Sequence, residues 1–157
     1  MNVWYVNSIL GIFRLEEEND AICGLTLCPD GVPELEPLPR KVCETPLLQE
    51  AEEQLNEYFA GARREFDLPL APKGTPFQKA VWSEMCRIPY GETRTYGQLA
   101  AAIGRPSACR AVGGACHCNP IAILQPCHRV VGSTGRLTGY AYGVEMKQYL
   151  LELERQE

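Results

Sequence analysis

Residues 95–118 read TYGQLAAAIGRPSACRAVGGACHC, and this stretch decides the kind of fold. Thr95 followed three residues later by Gln98 is a capping box, in which side chains satisfy the orphan N–H groups of a helix start. Tyr96, Leu99, Ala100 and Ile103 then share one side at helical spacing, until Gly104-Arg105-Pro106 stops the run. Ser107 is expected to cap a further helix reaching about Cys118. Two short helices joined through a Gly-containing turn form the helix-turn-helix pattern. Ala111, Gly113, Gly114 and Ala115 make the second of these helices unusually thin, and each mid-helix glycine costs about 1 kcal/mol relative to alanine. Two explanations are open: a bulky partner approaches the backbone, or another helix packs tightly against it.

Upstream, Thr75-Pro76-Phe77-Gln78 is a second capping box, with proline at the first helical position and Phe77, Val81, Met85 and Ile88 as the buried face. Downstream, Val130-Val131, Gly132 to Gly135 and Arg136 to Thr138 read as a hairpin. A closing helix carries Met146, Tyr149, Leu150 and Leu153 at helical spacing.

The first third has a different texture. Val3–Val6, Gly11–Leu15 and Ala21–Cys28 are β-branched or apolar runs, separated by Asn7-Ser8 and by an acidic turn, Glu16 to Asp20; they predict a small antiparallel meander. A connection rich in proline (Pro29, Pro33, Pro37, Pro39) follows. Thr45-Pro46 then opens a helix with Leu48, Ala51, Leu55, Tyr58 and Phe59 on one stripe and Gly61 at its end. Phe66 to Gly74 reads as a linker. The expected domains are therefore residues 1–72, a small α/β unit, and residues 73–157, a mainly helical unit.

Charge divides at the same place. Met1 to Pro72 carries 5 basic and 14 acidic side chains, and Lys73 to Glu157 carries 10 basic and 6 acidic, so a polyanion is repelled by the first part and attracted to the second. Met1 to Phe13 lacks the basic start of a signal peptide, and no apolar run reaches the roughly 18 residues of a membrane span. The eight cysteines are expected to be reduced thiols of a cytoplasmic protein (nuclear in a eukaryote), since Cys109, Cys116 and Cys118 crowd one helix and its end.

Chemistry gathers in Asn119-Pro120-Ile121-Ala122-Ile123-Leu124-Gln125-Pro126-Cys127-His128-Arg129-Val130-Val131. An apolar segment delivers a cysteine followed by His and Arg. A cysteine attacks as thiolate, and a neighbouring imidazole or positive charge favours that form over a free thiol of pKa about 8.5. Glu154 on the closing helix is placed to orient His128, completing a Cys-His-carboxylate relay.

Pro126-Cys127-His128-Arg129-Val130 resembles the active-site signature of the O6-alkylguanine-DNA alkyltransferases. Tyr96-Gly97-Gln98-Leu99-Ala100, Arg110-Ala111-Val112-Gly113, Asn119-Pro120, Gly139-Tyr140 and the Lys147–Glu154 helix follow the family's order and spacing, so the resemblance spans about Gly74 to Glu154. It implies that Cys127 takes an alkyl group from O6 of guanine in double-stranded DNA, irreversibly and once per molecule. His128 acts as base through a water, with Glu154 behind it. Tyr96 donates to the departing guanine, and Asn119 braces the turn before the nucleophile. Arg110 is implied to replace the extruded nucleotide, with Ala111, Gly113, Gly114 and Ser133 on the DNA-facing surface. Val130, Tyr140 and Ala141 are implied to line the base pocket. Flipping is a physical requirement, because O6 of a stacked base cannot reach a buried sulfur. The resemblance also implies an RNase H-like arrangement for the first 72 residues. Tyr142 departs from the small glycine of many members, which leaves the accepted alkyl size open.

No cofactor is expected, since the acceptor is the protein itself, and the protein is expected to act as a monomer without membrane attachment. Zinc is not expected. Cys116-His117-Cys118 is tighter than the two- to four-residue spacing of paired ligands, Cys23, Cys28 and Cys43 lack a fourth partner, and no His-x-Glu of a zinc deaminase is present. Two binding readings compete. An alkyltransferase-like lesion binder would lack the nucleophile, and a major-groove regulator would display base-reading side chains beyond Arg110.

Overall fold

A computed structural model describes residues 1–33, 41–137, 140 and 142–155, and the chain divides into two compact units, Met1–Pro72 and Lys73–Glu157. Among the described residues no helix is long and apolar enough to cross a membrane.

The first unit is the expected small α/β arrangement. Strands β1 (Asn2–Ser8), β2 (Gly11–Glu18), β3 (Ala21–Cys28) and β4 (Lys41–Val42) form one sheet in the order β3-β2-β1-β4. Helix α1 (Pro46–Phe59) lays Leu48, Ala51, Leu55 and Tyr58 over Val3, Phe13, Leu15, Ile22 and Leu25, all fully or nearly fully buried. Thr45 Oγ1 accepts from Leu48 N at 3.1 Å as the N-cap, and Gly61 takes the left-handed φ of 76° that releases the chain after the helix.

Three expectations for this unit need correction. Glu16–Glu18 are strand, not turn; the turn is Asn19-Asp20 alone, both at positive φ (53° and 62°), the geometry of a two-residue hairpin that Asn and Asp tolerate. The glutamates stay in the strand because partners meet them: Arg14 pairs with Glu16 at 3.2 Å, and Asn2 and Thr45 donate to Glu17 at 3.0 and 2.8 Å. Asn7-Ser8 likewise belongs to β1. Beyond the proline-rich connection, whose Pro37 and Pro39 lie outside the described residues, Lys41-Val42 pairs in parallel with Asn2-Val3. Nor is Phe66–Gly74 a free linker. Ile22 N donates to Pro69 O and Ile22 O accepts from Ala71 N, each at 2.8 Å; Gln54 receives Asp67 N on its side-chain oxygen at 2.9 Å.

The second unit is mainly helical: α2 (Pro76–Met85), α3 (Tyr96–Ala102), α4 (Cys109–His117) and α5 (Val144–Arg155), with short strands β5 (Arg94–Thr95) and β6 (Val130–Val131) and a 3-10 turn at Cys127–Arg129. Both capping boxes form as the sequence predicts, Thr75 with Gln78 and Thr95 with Gln98. Trp82, missed in the sequence reading, fills the middle of the unit and donates its indole N–H to Ala115 O at 2.8 Å. Gly74 lies so close to this ring that a Cβ there would approach it to 2.5 Å.

Ser107 does not cap α4. Ala108 occupies that position and supplies no side-chain hydrogen bond. The hairpin after Val131 is also replaced. β6 pairs in parallel with β5, Arg94 beside Val130 and Thr95 beside Val131, and Gly132 N reaches Arg136 O at 2.8 Å in a local turn; Thr138 lies outside the described residues. This pairing ties the start of α3, and so Tyr96, to the segment leaving Cys127.

Candidate active site

Asn119 organises the loop between α4 and the nucleophile. Its Oδ1 accepts from Ile121 N at 3.1 Å and Gln125 Nε2 at 2.7 Å; its Nδ2 donates to Gln125 O at 2.8 Å and to Cys127 Sγ at 3.2 Å. Ile121–Leu124 are buried, as their apolar character requires, and Ile123 is held at a φ of 69°. A β-branched residue in that region carries about 1–3 kcal/mol of strain, which a loop tolerates only where its surroundings over-determine it. Asn119 therefore does more than brace a turn. It touches the sulfur.

Cys127 is 5% exposed. Burial pushes its thiol up, against the Asn119 hydrogen bond, the positive charge of Lys147 and two backbone N–H groups, which pull it down. The sequence reading assigned that electrostatic help to His128 and Arg129. Both turn elsewhere. His128, with no exposed surface, places Nε2 2.6 Å from Glu154 Oε2. Arg129 donates Nε and Nη2 to Glu154 at 2.8 and 3.1 Å and Nη1 to Ile88 O at 2.7 Å, and its guanidinium lies over the Tyr90 ring.

Burial alone would raise the Glu154 carboxyl, yet the hydrogen bonds and charges of His128 and Arg129 bring it down to about 2. The carboxylate is thus ionised, and the imidazole nitrogen against it carries the proton. Burial, outweighing Glu154, lowers His128 and keeps the ring neutral. Nδ1 is then an unprotonated acceptor, buried and without a hydrogen-bond partner among the described residues. A neutral imidazole with one nitrogen fixed by a carboxylate and the other free is the arrangement of a general base.

Lys147 is the cation that sequence reasoning missed. It has no exposed surface, and its Nζ lies 5.8 Å from the centre of the Tyr96 ring and 5.9 Å from that of Tyr140. The signal was available: Lys147, Leu150, Leu151 and Glu154 stand at i, i+3, i+4 and i+7 of α5, one buried stripe with a charge at each end.

An open cavity of about 340 Å³ lies over the start of α3 and the exposed side of α4, lined by Thr95, Tyr96, Gly97, Cys109, Arg110, Gly113 and Ser133. It brings Tyr96, Arg110, Gly113 and Ser133 to one place. Cys127 is not in this lining; Tyr96 connects the two, because the Lys147 that acts on the sulfur faces its ring. Arg110, Ala111 and Gly114 are exposed. A Cβ on Gly114 would meet nothing within 4 Å among the described residues, and one on Gly113 only the Tyr96 ring at 4.0 Å. Close packing on another helix therefore does not account for Gly114, whereas Ala115 is buried and α4 packs on α2 and α3.

Val130 is buried in β6. Tyr140 is 7% exposed, with its ring against Tyr142 and its hydroxyl without a hydrogen-bond partner among the described residues; Ala141 lies outside them. Cys116 is buried with Sγ 3.6 Å from the Met85 sulfur, whereas His117 and Cys118 are exposed, and the described residues hold no group of three or more His, Cys, Asp or Glu able to bind a metal. All eight cysteines are free thiols.

Both units of the chain match known protein families. The family model described as 6-O-methylguanine DNA methyltransferase, DNA binding domain, matches residues 76–156, and that of the ribonuclease-like domain of the same enzymes matches residues 3–72. The methylated-DNA–protein-cysteine methyltransferase of Methanosarcina barkeri is 60% identical over 106 residues, covering 68% of this chain and 67% of its own length. The constitutive enzyme of that name from Bacillus subtilis is 57% identical over 113 residues, covering 71% and 68%. The crystal structure of Mycobacterium tuberculosis OGT in complex with DNA superimposes with a TM-score of 0.89 at 41% identity, covering 99% of this chain and 93% of that one. Across both of its units, the chain belongs to the methylated-DNA–protein-cysteine methyltransferase family.

Proposed function

We propose that the chain repairs duplex DNA directly, moving an alkyl group from O6 of a flipped guanine to Cys127 Sγ. The observation that carries this reading is the buried His128–Glu154 contact at 2.6 Å, next in sequence to a cysteine hydrogen-bonded to Asn119. The thiol proton passes through a water to His128 Nδ1, and Glu154 meets the resulting imidazolium. The sulfur attacks the alkyl carbon in line; the S–C bond forms as the C–O6 bond breaks. Electrons of that bond leave on the guanine ring, which Tyr96 stabilises by donating its hydroxyl, and the imidazolium proton returns to solvent as guanine is reprotonated. Atoms and charge balance with the protein as acceptor, and a thioether has no good leaving group, so each molecule acts once. The protein works alone, as a monomer, in the compartment that holds DNA: the cytoplasm, or the nucleus of a eukaryote.

The test is an oligonucleotide duplex bearing O6-methylguanine, followed by peptide mass mapping. One methyl on the Cys127 peptide is expected, and a methyl on any other peptide refutes the assignment. Arg110 is exposed beside the cavity and fills the space of the extruded nucleotide. Arg110→Ala is expected to slow transfer from duplex by about tenfold or more, a part of the few kcal/mol that unstacking costs, while reaction with the free modified base is spared. Equal losses on both substrates rule that role out.

Gly114 gives an opposed pair of effects. Gly114→Ala is expected to raise stability by up to about 1 kcal/mol, since the new methyl meets open space, and to weaken duplex binding, since it stands on the DNA-facing surface. Thermal melting and a DNA titration read the two separately; a stabilised variant with unchanged affinity removes Gly114 from the interface.

A further inference from the structure

We propose that Gln125 is a positioning residue of the transfer: its side-chain N–H holds the Asn119 amide in the orientation that turns a donor, and not an acceptor, toward Cys127 Sγ.

The inference rests on Cys127 being the acceptor, and it begins from an anomaly of the sequence. Four buried apolar residues, Ile121–Leu124, are followed by a primary amide that is itself only 3% exposed. A buried amide is kept where its polar atoms find partners, because unpaired it is costlier than an apolar side chain of the same size. Gln125 directs its NH2 at one atom: Nε2 donates to Asn119 Oδ1 at 2.7 Å. Its main-chain oxygen accepts from Asn119 Nδ2 and from Cys127 N, each at 2.8 Å. Both ends of the Asn119 amide therefore meet the same residue.

An asparagine amide has nearly the same shape when turned by half a rotation, and its contacts decide which end points where. As it stands, Oδ1 accepts from Ile121 N at 3.1 Å and from Gln125 Nε2, while Nδ2 donates to the Gln125 carbonyl and to Cys127 Sγ at 3.2 Å. The turned amide would set donors against Ile121 N and Gln125 Nε2, and oxygen lone pairs against the carbonyl and the sulfur. The sulfur does not choose for itself, since a thiol is a weak donor and a weak acceptor alike. Only the thiolate needs the N–H, so the orientation has to be fixed before the proton leaves. Two of the three contacts that fix it are main-chain groups, which any residue supplies; the third, and the shortest, is the Gln125 side chain. Two donors on Oδ1 also draw charge from the amide and strengthen Nδ2 as a donor. The Asn119 bond opposes the burial that pushes the Cys127 thiol up, beside the charge of Lys147 on α5 and the N–H groups of Cys127 and His128. Cys116 on α4 and Tyr140 before α5 feel the charge of Cys127, are pushed up, and stay neutral; the His128 ring, lowered by burial, is neutral too.

The test compares wild type with Gln125→Met, which keeps the length of the side chain and removes its donor. Site-mapped alkylation of Cys127 by iodoacetamide and single-turnover methyl transfer from an O6-methylguanine duplex are each followed against pH. Gln125→Met is expected to move the rise in Cys127 reactivity upward by about half a pH unit and to slow transfer about threefold at neutral pH, with the deficit shrinking as pH rises. A side chain that only fills space would change the melting temperature and leave that profile where it was, so a folded Gln125→Met protein with the wild-type pH profile overturns the proposal. If the variant does not fold, the wild-type protein decides by nitrogen NMR. The side-chain amide signals of Asn119 and Gln125 are expected to move together as Cys127 ionises, and a Gln125 signal that stays still through that titration overturns the proposal. Methyl mapped to another cysteine removes the acceptor assignment itself, whereas methyl on Cys127 with an unmoved profile removes only the role of Gln125.

Discussion

A Cys127→Ala protein is expected to bind a duplex carrying O6-methylguanine as the unchanged protein does and to take up no methyl. The turn around the sulfur does not depend on it. Asn119 keeps Gln125 and Ile121 as partners, Cys127 N still donates to Gln125 O at 2.8 Å, and the Asn119 N–H that loses the sulfur retains the Gln125 carbonyl. No buried donor is left without an acceptor, so the fold is expected to survive with a penalty near that of removing one small buried group, about 1 kcal/mol. What vanishes is the only lone pair at that position able to attack carbon. Binding by fluorescence titration and methyl content by intact mass give the two results. Residual methylation, which would fall on Cys109, Cys116 or another thiol, would displace Cys127 from its assigned role.

Glu154→Gln is expected to damage stability and transfer together. The carboxylate sits against His128 and Arg129, both buried, and removing one member of such a cluster strands the others, at about 3–5 kcal/mol. The amide also offers the wrong chemistry: if its NH2 faces Nε2, the imidazole proton moves to Nδ1, and the acceptor is lost. A loss of about 10²-fold or more in transfer rate is expected.

The pH dependence follows in sign. A carboxyl held at about 2 when folded and near 4.5 when unfolded contributes stability that is complete above pH 4.5 and lost as pH falls toward 2, about 3 kcal/mol in all. His128, also lowered by folding, contributes stability complete above its ordinary 6.5 and lost below it. Wild type is therefore expected to weaken first under pH 6.5 and again under pH 4.5. Glu154→Gln, weaker throughout, lacks the second step. Urea midpoints at pH 7, 5 and 3 measure this. A variant that loses as much as wild type between pH 5 and 3 shows that the step belongs to other carboxyls.

Features written within four residues were legible in the sequence. Thr45, Thr75 and Thr95 cap their helices because a hydroxyl and a backbone N–H three positions on meet without help from elsewhere. Cys127, His128, Asn119 and Glu154 were found through their order and the apolar run before them, and the chain brings them into one buried cluster. What escaped depended on distant partners. Glu16–Glu18 look like a turn until Arg14, Asn2 and Thr45 are placed around them. β5 and β6 are two residues each and pair across the whole stretch that holds α3 and α4, so no local pattern announces them. Arg129 and Lys147 carry the same charge, and only packing tells that the first serves Glu154 and the second the sulfur.

On the proposed reading, the side of α4 that meets a duplex carries Cys109, Ala111, Gly114 and His117 around a single guanidinium and no side-chain amide, where helices that spell out a sequence display amides and forked donors. If α4 is that contact, it would grip every stretch of double helix alike and so permit search without reading. Discrimination is then left to the DNA: a base whose pairing is already weakened is the easiest to swing out. Damage on this account identifies itself, by yielding where sound pairs hold.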